Sequence, residues 1–243
     1  MTPAKVFTEL PVNEEEKEWI EKSFQWLLET FGKDTFLKHK TVLPDGAFFP
    51  DKYNGSEEAV DLIVNRVCGY MDVNPSQIEV LFLVDRQYSG AAGLYVSKDT
   101  EETRKKIFLN VSLFKNPTKL VGTIAHELGH VILLGGKKIT TDHEDHEYLT
   151  DLLTVFIGLG IFTANSAFQF SQWQDSRQQG WSVSRAGYMT EGMYGYSLAV
   201  YAWMRNERKP AWLKHLTMNV AHYMKQSLEY FEEGGPTSLN RVA

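Results

Sequence analysis

His126-Glu127-Leu128-Gly129-His130 places two imidazoles and a carboxylate within one short stretch, inside an apolar run from Leu120 to Leu134. In a helix, residues four apart lie on one face, one turn from each other, so both histidines can reach a single metal ion. Two neutral imidazoles suit adjacent positions of a tetrahedral Zn²⁺ site. Glu127, beside them, is placed to take a proton from a water that the metal activates. The chemistry expected of such a group is hydrolysis.

A catalytic zinc needs a third protein ligand and an open position. Glu147 is the candidate: it follows His130 by 17 residues, beyond a Gly135-Gly136 turn that lets a second helix fold back on the first. His143, four residues earlier on the same face, is the rival metal ligand. His146 lies about 100° round the helix from Glu147, so the two would not serve one ion. Asp151, four residues after Glu147, can accept a hydrogen bond from the outer nitrogen of a ligand histidine and fix its tautomer. The plain alternative for this cluster is an exposed, charged first turn. For Asp151 the alternative is a surface charge, against which the apolar residues after it argue, because a half-buried carboxylate must be paired. A second electrophile usually steadies an oxyanion, and Tyr188, Tyr194, Tyr196, His215 and His222 are available downstream. Tyr194 and Tyr196 stand beside Gly192 and Gly195 and could line a cleft, although the ordinary role of each is core or surface.

With these residues the chain resembles the gluzincins, zinc metallopeptidases that pair H-E-x-x-H on one helix with E-x-x-x-D on the next. It is also similar to the smaller ImmA/IrrE-type peptidases, in which a strand and short loop lead into the motif helix, as Ile107 to Asn110 and Phe114 to Leu120 do here. The likeness spans residues 106–163, and Gly129 matches the small residue of the motif. The resemblance implies a zincin-like fold, one Zn²⁺ per chain and hydrolysis of peptide bonds, with Glu127 as general base. It further implies that the strand Lys106 to Val111 is an edge strand on which an extended substrate backbone pairs. The metzincin continuation is missing, since Leu133 and Gly136 stand where Gly and His are required. Deformylases draw a cysteine ligand from a Gly-Cys context, whereas Cys68 falls in a predicted helix and reads as core.

The elements that must position this group are legible in outline. Trp19, Ile20, Phe24, Leu27, Leu28 and Phe31 recur at helical spacing and predict a helix from Glu14 to Phe31. Leu43 to Asn54 is loop, and Ser56 caps a second helix carrying Val60, Ile63, Val64, Val67 and Tyr70. Glu79 to Val84, Gly93 to Ser97 and Lys106 to Val111 predict a small, mostly antiparallel sheet. Asn116-Pro117 opens the motif helix. Thr141-x-x-Glu144 has the form of a capping box and predicts the next helix from about Asp142. The uncharged stretch Leu152 to Gln174, most apolar up to Phe162, reads as a buried core helix, with a membrane-associated segment as its alternative, and Thr190 to Phe231 as helices interrupted near Pro210. The expected fold is α+β in a single domain: an N-terminal helix and loop (1–55), a helix, small sheet and motif helix (56–136), and a helical part carrying the third ligand (137–243).

Composition bounds the partners. Acidic residues outnumber basic ones, 31 to 25, and no block of like charge suggests nucleic acid. The apolar part of Leu152 to Gln174 is too short to span a bilayer, so no membrane partner is expected. A lone cysteine gives no sign of an oxidising compartment, and Met1 to Val12 has no signal-peptide pattern, so the cytoplasm is the expected location. The reading is a zinc metallopeptidase acting on peptide or protein substrates. Its alternative is a non-catalytic zinc-binding sensor or regulatory protein, against which the intact Glu127 counts. The oligomeric state is not legible.

Overall fold

The computed structural model describes residues 7–84, 93–96, 104–166 and 189–242. Helix α1 (Glu14–Phe31) forms where its apolar spacing predicts. The Asn13 side chain accepts the Glu16 N–H, and the Glu16 carboxylate accepts the Asn13 N–H, a reciprocal cap that starts the helix. Its inward face, Ile20, Phe24 and Leu27, is completely buried. A short α2 (Lys33–Lys38) follows, and α3 (Glu57–Tyr70) begins where the Ser56 hydroxyl accepts the Ala59 N–H.

Three strands form the sheet: β1 (Ile78–Leu83), β2 (Gly93–Val96) and β3 (Lys105–Asn110). Their spatial order is β1-β3-β2. β1 runs parallel to β3, with Ile78 opposite Lys105 and Leu83 opposite Asn110, while β2 runs antiparallel, with Gly93 opposite Leu109. The sheet is therefore mixed and gives no support to the mostly antiparallel, zincin-like arrangement expected. The physical reason lies in the burial of β3: although β1 carries more apolar residues, Ile107 and Leu109 of β3 are wholly buried, and this strand takes the centre with a partner on each side. Across Lys106 to Leu109 both edges of β3 are occupied, so this strand is not open to an extended substrate.

Helix α4 (Pro117–Leu133) leaves the sheet through a short 3₁₀ turn. Asn116 caps it by accepting the Lys119 N–H, and Pro117 occupies the first position, where no N–H is needed. Every residue from Leu120 to Val131 is buried. Such a helix must be covered on all sides, and α3, the sheet and the following helix, α5 (His146–Phe156), cover it.

The expected capping box at Thr141 does not form. The His143 N–H bonds to the Thr140 carbonyl and the His146 N–H to the His143 carbonyl, two tight turns that delay the helix to His146. Asp145 precedes it, but its carboxylate accepts the Trp19 indole N–H at 3.1 Å, a tertiary contact in place of a cap. The apolar stretch after Asp151 is likewise not one helix. Gly158 adopts φ +90°, closed to most side chains, and its carbonyl accepts the Val42 N–H. The chain breaks there and resumes as α6, described over 160–166.

Helices α7 (Glu191–Met204) and α8 (Met218–Glu232) pack against each other across a 3₁₀ turn, Ala211–His215, in line with the interruption expected near Pro210. Phe156 of α5 gathers Phe24, Phe31 and Phe36, with ring centroids 6.3, 6.2 and 5.0 Å away. Cys68 lies in this core, and burial pushes its thiol up to about 11. The fold is α+β, with helices dominating. Among the described residues no helix is long and apolar enough to cross a membrane.

Candidate metal centre

α4 and α5 meet closely enough for their side chains to share one site. A Cβ on Gly129 would lie 2.7 Å from Thr150 Cγ2, inside any allowed contact, so only glycine permits this crossing. The approach brings Glu147 of α5 over the two histidines of α4. His126 Nε2 stands 3.0 Å, and His130 Nε2 3.4 Å, from the same oxygen, Glu147 Oε2. The ligand atoms of the three residues lie within 4.8 Å of one another.

The outer ring nitrogens decide what this cluster wants. His126 Nδ1 is 2.8 Å from Asp151 Oδ1, a buried carboxylate that can only accept, so Nδ1 carries the proton. His130 Nδ1 is 3.2 Å from Thr150 Oγ1. The Thr150 hydroxyl donates to the His146 carbonyl at 2.7 Å, leaving its oxygen to accept from His130 Nδ1–H. Both neutral rings then turn an Nε2 lone pair toward the Glu147 carboxylate. Three lone-pair donors facing one another repel unless a cation lies among them. The residues present thus fit a divalent metal, and two imidazoles with one carboxylate are the donor set of a zinc site with room for a further ligand.

Without an ion, protons meet the same demand. Burial disfavours the charged form of His126, but Asp151 and Glu147 outweigh it and raise its pKa well above the usual histidine range. Burial would raise Glu147, yet the hydrogen bonds from His126 and His130 hold its carboxyl far below the usual range. His130, desolvated and facing the His126 charge, is lowered.

Glu127 is 3% exposed. Burial, helped by the Glu147 charge, pushes it up to about 7 despite the opposing pull of His126. Its Oε2 has no hydrogen-bond partner among the described residues. A buried carboxylate with an uncommitted oxygen is an unusual feature, and beside the three-donor group that oxygen is free to accept a proton.

The other candidates are placed elsewhere. His143 is exposed in the turn before α5 and does not join the three-donor group. His146 stands next to it, its ring 5.9 Å from that of His130, but outside the group, as its helical phase predicts. Tyr196 is buried in α7 and donates its hydroxyl to Glu21 at 2.7 Å, and Tyr194 is buried in the same helix. His215 sits in the turn after α7 and His222 is exposed on α8. Tyr188 lies outside the described residues. Sequence reasoning missed Thr150, whose signal was available: it is three residues past Glu147, a polar position on the same helical face. It also missed the Met189 N–H, which bonds to Asp151 Oδ2 at 2.9 Å and which no local pattern marks.

No protein-family model matches the chain, and no curated protein or solved structure matches it.

Proposed function

We propose that the protein is a zinc-dependent metallopeptidase that hydrolyses peptide bonds in a peptide or protein substrate. The observation that carries this reading is the convergence of His126 Nε2, His130 Nε2 and Glu147 Oε2, with both outer ring nitrogens already committed to acceptors. His126, His130 and Glu147 would hold one Zn²⁺. Bound there, zinc supplies Lewis-acid polarisation of the scissile carbonyl and lowers the pKa of water toward ~7.

The chain's own residues do the rest. Asp151 and Thr150 keep the rings in the tautomer that presents Nε2. Glu127 accepts the proton of the attacking water and returns it to the leaving amine. A carboxylate desolvated on α4 is basic enough for the first transfer and acidic enough for the second. The lone, buried Cys68 suits a cytoplasmic enzyme.

A peptide library digested by wild type and by Glu127→Gln tests the catalytic reading. Wild-type cleavage with loss of about a hundredfold or more in the variant, zinc content unchanged, is expected. Equal cleavage by both, or none by either when both carry zinc, would refute catalysis and leave a metal-binding protein.

A further inference from the structure

Away from the metal centre, a cleft of about 530 Å³ opens between α1 and the connector that joins α4 to α5. One wall is a single face of α1: Trp19, Lys22, Ser23 and Trp26, at the three- and four-residue spacing that aligns side chains along a helix. The opposite wall is Lys138, Ile139 and His143, with Leu149 of α5 as floor. His143, which stands outside the three-donor group, lines this cleft. The volume lies in the range of small-molecule sites, which are mostly apolar with a few placed polar groups.

Its chemistry is one-sided. The chain carries more acidic than basic residues, yet no acidic residue lines this cleft among the described residues. Among the described residues Lys22 pairs with Glu18, on the exposed side of α1. Lys138 is exposed and has no ion pair among the described residues. The Trp19 ring is held rigid by Asp145 and by an edge contact to Tyr148, with centroids 5.8 Å apart. Trp26 is half-buried, and its indole N–H has no partner among the described residues. The charged groups of the lining are cations, Lys138 and the Glu18-paired Lys22, and Trp19 and Trp26 stand about 10 Å apart along the axis of α1.

We infer that this cleft is a binding site for a small organic anion with a flat, apolar body: a carboxylate, sulfonate or phosphate carried on an aromatic or fused-ring system. The ring lies along the α1 wall against Trp19 and Trp26, over Leu149. The anion meets Lys138 and Lys22, with the Trp26 N–H as a directional donor. The inference is independent of the metal centre.

Titration of the full chain with 8-anilinonaphthalene-1-sulfonate, read by dye emission and indole quenching, tests it. Saturable binding at one site per chain is expected. It should weaken about tenfold or more, the equivalent of one hydrogen bond to a charged group, in Lys138→Glu. That position is exposed, so the fold is not at stake. Trp26→Phe should lose most of the quenching. Neutral N-phenyl-1-naphthylamine should bind at least about tenfold more weakly than the sulfonate. Equal affinity of the two dyes would reduce the cleft to an apolar patch and overturn the anion site. Affinity unchanged in Lys138→Glu, absence of saturable binding, or competition by an acidic peptide but by no aromatic acid would overturn it too.

Discussion

Gly129 and Thr150 touch where two helices cross, and the contact leaves no room for a Cβ on the glycine: it would lie 2.7 Å from Thr150 Cγ2. The same Thr150 accepts from His130 Nδ1, so the crossing distance and the ring orientation are set by one residue. Gly129→Ala should push α4 and α5 apart, at a cost of ~1–3 kcal/mol, and weaken metal binding with it. Thermal denaturation and chelator competition read the two effects. Full stability with full metal affinity would mean that the helices are free to separate at no cost.

Asp151 holds His126 on one oxygen and the Met189 N–H on the other. Asp151→Asn keeps the shape but weakens the acceptor that orients the ring. Zinc affinity should fall about 10- to 100-fold, measured by competition with a chelator of known affinity. Unchanged affinity would show that His126 needs no orienting partner.

Much of this was readable in the sequence, and what was not has identifiable causes. The caps at Ser56 and Asn116 are local, so the helices they open begin where expected. Glu147 and Asp151 are separated by one helical turn, a spacing that survived even though the helix starts later than the Thr141 pattern implied. Two tight turns before His146 take up the residues of that pattern, and Asp145 is held by Trp19, over a hundred residues away. Strand direction failed for the same reason: three short apolar runs do not reveal that β3 sits between the other two. Tyr196 looked like a candidate electrophile because nothing in its neighbourhood announces the buried Glu21.

Glu21 is a pH-sensitive tie between the ends of the chain. It is 2% exposed, and its carboxylate accepts from the Tyr196 hydroxyl and from the Ser238 N–H and hydroxyl. Burial acts to raise its pKa, but these hydrogen bonds outweigh it and leave the group lowered. A lowered carboxyl contributes stability above its unfolded pKa, and that contribution is lost as pH falls through the folded value. Glu21→Gln should therefore cost ~1–3 kcal/mol at neutral pH, with the gap to wild type closing as pH drops below the usual carboxylate range. Chemical denaturation at several pH values measures it. A gap that widened toward acid would contradict the sign.

Tyr196→Phe separates structure from catalysis. Removing the hydroxyl should lower stability by ~1 kcal/mol, because one acceptor position of Glu21 is left bare. Peptide hydrolysis per folded, zinc-loaded chain should not change. A fall in kcat with stability intact would return Tyr196 to the active site.

Metal content per chain tests the central claim most directly. Purified wild type, loaded with zinc and dialysed, should retain one equivalent by elemental analysis, and Glu147→Ala should retain much less while His143→Ala matches wild type. Less than about half an equivalent in the wild type, or equal retention in Glu147→Ala, would contradict a site built from His126, His130 and Glu147.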